Sequence, residues 1–147
     1  MVTYWQAPEG VRVLPDGTWR VGGFAIVHAP SLRHLKSRLV FEDDGAFIED
    51  GPQRLPVDVE GPAFEVLTLR LDPAKGEVRA VLDDGTEEGI ADAAMNEGTG
   101  RFECSCRGGK ARAVFSRVAH QVLLDNLVQE GGEFFLCAGA RTIPVRP

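Results

Sequence analysis

The stretch HLKSRLVFEDDGAFIEDGPQRLPVD (residues 34–58) has a near copy 88 residues further on, VLLDNLVQEGGEFFLCAGARTIPVRP (residues 122–147). One residue is removed before the glycine and one added after the phenylalanine to align them. Leu35 then matches Leu123, Leu39 matches Leu127, Val40 matches Val128 and Glu42 matches Glu130. The match continues through Gly45 and Gly132, Phe47 and Phe134, Gly51 and Gly139, and Pro56-Val57 and Pro144-Val145. Each copy reads as a helix, a glycine turn, a strand, a second turn and a strand ending in Pro-Val. A helix–hairpin unit cannot bury its own apolar face, so two copies point to an internally duplicated domain with a seam between halves. A seam of this kind is a favoured place for a ligand.

The rest of the chain punctuates into short elements. VRVLPDGTWRV alternates around Pro-Asp-Gly, a hairpin signal that puts Val11, Val13, Trp19 and Val21 on two strands. Pro30 suits the first turn of a helix, which the apolar spacing carries over 30–40. Strands are expected at 46–49 and 55–60. Gly61-Pro62 is the expected boundary, giving halves 1–61 and 62–147 joined tightly as one compact unit. Beyond it, AFEVLTLRL alternates, with Phe64, Val66 and Thr68 on one face and Leu67, Leu69 and Leu71 on the other. EVRAVLDDG is a second strand, and residues 86–100 read as a polar connection with one helical turn. Strands at 101–106 and 111–115 lead to a helix over 117–129 that is apolar on most sides, hence packed on most sides. Strands 134–137 and 142–146 close the chain. The class is α+β, strand-rich, with two main helices.

Composition bounds the function. The chain has 147 residues, 44% of them hydrophobic and 26% charged, which is the profile of a globular domain. No apolar run approaches the ~20 residues of a membrane span. MVTYWQAPEG has neither a basic n-region nor an apolar h-region, so the expected location is the cytoplasm. A net charge of −6 argues against coating nucleic acid or an anionic membrane. The charge is uneven: residues 101–117 hold five bases (Arg101, Arg107, Lys110, Arg112, Arg117) against Glu103 alone. Residues 83–97 hold six acids and no base.

No complete catalytic motif is present: there is no nucleophile elbow, phosphate-binding glycine loop or papain-like signature. Cys104, Cys106 and Cys137 are odd in number and lack zinc-site spacing, so they read first as buried hydrophobes, with thiol or metal chemistry a weaker alternative. Ser116 is placed to cap the second helix, and His120 follows four residues later. Arg107, Lys110, Arg112 and Arg117 span a strand, turn, strand and helix start. Arginine forks bind phosphate or carboxylate bidentately, and a helix N-terminus adds N–H groups and a favourable dipole. Arg107, Lys110, Arg112, Ser116, Arg117 and His120 are therefore the candidate residues for a small anionic, nucleotide-like ligand. The alternative is a protein-interaction domain using strand edges or the acidic 83–97 segment. No cofactor is expected.

The chain resembles the bacterial family catalogued as domain of unknown function 1285. The resemblance rests on Asp16-Gly17-Thr18-Trp19, the Gly23-to-Ile26 step, the leucine-rich helix and the acidic glycine turn. It continues through Pro56-Val57, Glu60, Pro62 and Phe64, then Arg107-Gly108, Ala113, Ser116 and Arg117. The family's T-P-V-E-K run and T-N-x-G-D turn have no counterpart; GPQRLPV and LDDGTEE stand there. The resemblance implies a duplicated two-part fold whose C-terminal part is similar to a pleckstrin-homology-like β-structure with a closing helix. It also implies a ligand site between the parts and a role in signalling. It carries over no catalytic residue.

Overall fold

The computed structural model describes residues 10–147. The opening nine residues, read above for a leader, lie outside the described residues. The chain divides into two compact units, Met1–Ala63 and Phe64–Pro147.

The first unit comprises β1 (Val11–Val13), β2 (Trp19–Val21), β3 (Phe24–Ala25), α1 (Ala29–Ser37), β4 (Leu39–Glu42), β5 (Gly45–Asp50) and β6 (Gln53–Val59). Its sheet has the order β3-β2-β1-β6-β5-β4. β1 and β6 run parallel, and the other neighbours antiparallel. The Pro-Asp-Gly turn closes through Leu14 N–H to the Thr18 carbonyl at 2.8 Å. Gly17 takes the positive φ of 90° that such a turn requires of glycine. Val11, Val13, Trp19 and Val21 all lie in the core. The Trp19 indole N–H is satisfied there by the Ala63 carbonyl at 2.9 Å, as a buried indole requires.

The second unit comprises β7 (Phe64–Asp72), β8 (Glu77–Leu82), β9 (Glu87–Gly89), β10 (Ala93–Asn96), β11 (Arg101–Cys106), β12 (Ala111–Phe115), α2 (Arg117–Asp125), β13 (Leu127–Glu130), β14 (Glu133–Ala138) and β15 (Arg141–Arg146). All the strands join one sheet, in the order β13-β14-β15-β10-β11-β12-β7-β8-β9. β10 is parallel to β15 and β12 is parallel to β7. The fold is thus mostly β, with two helices and two mixed sheets among the described residues, rather than an even α+β mixture. No helix among them is long and apolar enough to cross a membrane.

Four expectations need correction. Both helices stop early, at Ser37 and Asp125, and each is followed by a strand. Leu39–Glu42 pairs with β5 and Leu127–Glu130 pairs with β14, so each unit has a helix and a three-stranded meander rather than a helix and a hairpin. The reason is turn chemistry. Gly131 and Gly132, at φ 61° and 82°, form a two-residue turn whose twist matches paired strands, and this draws LVQE into the sheet. Second, α2 is not wrapped in apolar contacts: Ala119 and Leu123 are buried, while Val118 is 60% exposed and Leu124 46%. Third, residues 86–100 contain β9 and β10 rather than a helical turn. Fourth, the alternation along β7 breaks. The register shifts between Val66 and Thr68, so Phe64, Val66 and Leu69 are buried and Leu67 is exposed. An extra residue in one strand reverses the faces beyond it.

The two units share an element order. α1, β4 and β5 have the bounds of α2, β13 and β14 at an offset of 88 residues, and β6 starts 88 residues before β15. Phe47 faces Pro56, as Phe135 faces Pro144. The counterpart of Phe47 is therefore Phe135, not Phe134, and the alignment needs no gap. The order β3-β2-β1-β6-β5-β4 of the first unit reappears as β12-β11-β10-β15-β14-β13 in the second. β7, β8 and β9 continue the second sheet beyond β12.

Candidate functional site

The six candidate residues all belong to the second unit, where the β11–β12 hairpin sets their positions. Arg107 and Lys110 stand on the turn, Arg112 on β12, and Ser116, Arg117 and His120 at the start of α2. β12 is five residues long, so roughly 17 Å of strand separates the turn from the helix start. The basic run is therefore divided between the two ends of the hairpin, and Arg107 and Lys110 do not share an anion with Arg117.

The turn end is an internal ion network. Arg107 pairs with Asp84, whose side chain is 1% exposed, and with Glu88 at 3.4 Å. Its guanidinium also lies 4.7 Å from the Phe64 ring centroid. Asp84 further accepts from the Thr86 hydroxyl at 2.6 Å and the Thr86 N–H at 3.0 Å. Arg112 donates to the buried Glu103 at 2.9 Å, and Asn96 satisfies the other oxygen of Glu103 at 2.8 Å. Lys110 is exposed. The acidic 83–97 segment is largely spent in the same way: Glu87 receives Arg70 and Arg79, and Asp92 receives Arg146. These pairs neutralise most of the acidic run and, of the basic run, Arg107 and Arg112.

The helix end is built differently. Ser116 is the N-cap of α2, and its Oγ accepts from the Ala119 N–H at 3.1 Å. The same hydroxyl donates to the Leu67 carbonyl at 2.9 Å, and the Ser116 N–H donates to Val66 at 2.9 Å. The irregularity in β7 thus exposes a carbonyl that anchors the helix. One turn in, the His120 N–H takes the Ser116 carbonyl at 2.9 Å. The N–H groups of Arg117 and Val118 fall in the first turn, where the helix supplies no acceptor. The His120 ring is half-buried, with its centroid 5.3 Å from that of Phe102. Arg101 opens β11 beside the end of β12 and donates to the Phe115 carbonyl at 2.7 Å and toward Glu65 at 3.5 Å. Arg117 is exposed.

Arg101, Phe115, Ser116, Arg117, His120 and Gln121 line a depression of about 220 Å³. Of the six candidates, Ser116, Arg117 and His120 are brought together. Arg101 was missed although it lies in the same basic run. Its signal was the hairpin itself, since antiparallel strands put the first residue of one beside the last of the other.

The thiols diverge. Cys104 and Cys106 are buried on one face of β11, and Cys137 is exposed on β14, three strands away in the sheet. Burial pushes both the Cys104 and the Cys106 thiol up to about 12. A thiol so far from ionising is a poor nucleophile. Among the described residues no three metal-ligating side chains converge.

Two solved structures share this fold. One is a DUF1285 family protein from Silicibacter pomeroyi DSS-3, with a TM-score of 0.70 and 20% identity over 92% of this chain and 79% of that one. The other is a DUF1285 family protein from Shewanella baltica OS155, with a TM-score of 0.58 and 13% identity over 78% of this chain and 90% of that one. At these identities the likeness is one of fold. It agrees with the family resemblance read from the sequence motifs. No family model matches the sequence, and no curated protein does.

Proposed function

We propose that the second unit is a non-enzymatic ligand-binding module of a signalling protein, taking an anionic group at the N-terminus of α2. One observation carries the reading: Arg117, Arg101, His120 and the first turn of α2, where Ser116 caps only the Ala119 N–H, border one depression, while Asp84, Glu88 and Glu103 are paired elsewhere. Glu65 approaches Arg101, so the site keeps its positive excess through Arg117 and the helix end. Its volume of about 220 Å³ is below the roughly 300 Å³ at which pockets begin to enclose a drug-sized molecule. The occupant is accordingly a small phosphate or carboxylate, or the anionic end of a nucleotide-like molecule whose remainder stays outside.

The same proposal includes internal duplication. It is supported by helix starts, cap positions and the Gly51 and Gly139 turns at a constant offset of 88 residues, and by the shared strand order. The pleckstrin-homology-like likeness of the second unit belongs to it as an analogy. α2 is followed by three further strands rather than closing the unit.

A thermal-shift series with inorganic phosphate, pyrophosphate, citrate and adenine nucleotides tests the ligand reading. An anion held only by the folded state raises Tm with concentration. The rise should shrink with salt and vanish in Arg117→Ala. If none of these anions shifts Tm, or Arg117→Ala responds as the parent does, the site is not an anion site.

A further inference from the structure

Among the described residues, the first unit leaves open a sheet edge whose equivalent in the second unit is covered by that unit's own β7. Arg12 pairs with Asp58 and with Arg20, as Ala94 pairs with Arg146 and with Glu103. Arg20 in turn pairs with Ala25, and Glu103 with Val114. Ala25 of β3 therefore stands where Val114 of β12 stands. Val114 faces Glu65 of β7, a strand laid parallel along that edge. Among the described residues, β3 has no neighbour on its outer side. The Ile26 N–H donates inward to the Trp19 carbonyl at 2.8 Å, so the N–H of Ala25 points outward by alternation. The apolar side chains at this edge lack the cover that β7 provides in the second unit: Phe24 is 81% exposed and Val27 87%.

The charge around this edge selects a partner. Residues 17–41 contain Arg20, Arg33, Lys36, Arg38, His28 and His34 and no acid, in a chain of net charge −6. Lys36 is buried, but Arg20 and His28 flank β3, and Arg33 is exposed one turn into α1. α1 begins four residues after the end of β3, and its N-terminus adds a positive dipole end close to it in the chain.

We propose that the β3 edge binds an extended, acidic segment of a partner protein, added as a parallel strand in the way β7 is added to β12. Backbone bonds to the free edge supply affinity, apolar contacts with Phe24 and Val27 set register, and the basic flank selects acidic side chains. A second copy of this chain is the poorer occupant. A two-fold contact through this patch brings the same basic segment against itself.

The test is fluorescence anisotropy of the full chain with a labelled peptide of the β7 sequence, residues 63–72, carrying Arg70→Glu to make it more acidic. Saturable binding is expected, weaker with the unsubstituted peptide and at higher salt. Phe24→Asp should weaken it about tenfold or more, since apolar anchors dominate such contacts. Ala25→Pro, which removes an outward N–H only, should do the same. Arg117→Ala should bind the peptide as the parent does, which separates this edge from the anion site on α2. Three outcomes overturn the proposal: peptide binding untouched by both edge variants; a dimer in sedimentation that Phe24→Asp abolishes, making a second copy the occupant; or pelleting with phosphatidylserine vesicles that Phe24→Asp abolishes, making a membrane surface the partner.

Discussion

Arg107 holds the carboxylate of Asp84 across two neighbouring turns, from a backbone conformation, φ 53°, that side-chain-bearing residues seldom adopt. The pair ties the β8–β9 turn to the β11–β12 turn. Arg107→Ala leaves a carboxylate with a 1% exposed side chain uncompensated, at a cost of about 3 kcal/mol. Chemical denaturation should register this loss. Adding Asp84→Asn to Arg107→Ala should recover part of it, because the stranded charge is gone. A single variant as stable as the parent would show the pair to be idle.

Ser116 makes two bonds through one hydroxyl, which threonine can reproduce: it accepts from Ala119 and donates to Leu67. Ser116→Ala should cost about 1 kcal/mol through the lost cap and increase hydrogen exchange in the first turn of α2. Ser116→Thr should retain most of the stability. Equal exchange in Ser116→Ala and the parent would contradict the capping role.

The paired turn glycines should respond unequally. Gly51 and Gly139 both have positive φ, 59° and 63°. A Cβ at Gly51 meets nothing within 4 Å, whereas at Gly139 it meets the Pro73 carbonyl oxygen at 2.6 Å. Gly51→Ala should cost about 1 kcal/mol, the backbone penalty alone. Gly139→Ala should cost about 2 kcal/mol or more, since a backbone atom must also move. Thermal unfolding of the two variants side by side checks the difference.

The buried thiols should make the protein alkali-sensitive. Burial pushes Cys104 and Cys106 from 9.0 up to about 12. Between those values the unfolded chain releases protons that the folded chain keeps, so stability is full below pH 9 and falls as pH rises toward 12. The slope is up to about 1.4 kcal/mol per pH unit for each thiol. Cys104→Ala with Cys106→Ala should flatten that decline. In the native parent a thiol reagent should label Cys137 quickly and the other two only on unfolding. Rapid labelling of all three would contradict the burial argument.

The sequence by itself determined what depends on a few neighbouring residues. The Pro-Asp-Gly hairpin, the glycine turns, the Ser116 cap and the core positions Val11, Val13, Trp19 and Val21 were all legible, because steric limits on φ and local hydrogen bonds act within a turn. The family resemblance was legible as well. Tertiary structure decided what depends on distant partners. Leu39 and Leu127 continue a helical spacing but pair with Ile48 and Leu136 as strand residues, because ladder bonds and burial outweigh a weak helical preference. Leu69 was placed on the face opposite Phe64 and Val66, yet it is buried with them, because the register shift in β7 shows only against β8. The basic run of 101–117 looked like one site, yet strand rise carries its members to opposite ends of a hairpin and acids far along the chain neutralise two of them. Linear composition counts charges, but only the folded arrangement determines which of them remain available to a ligand.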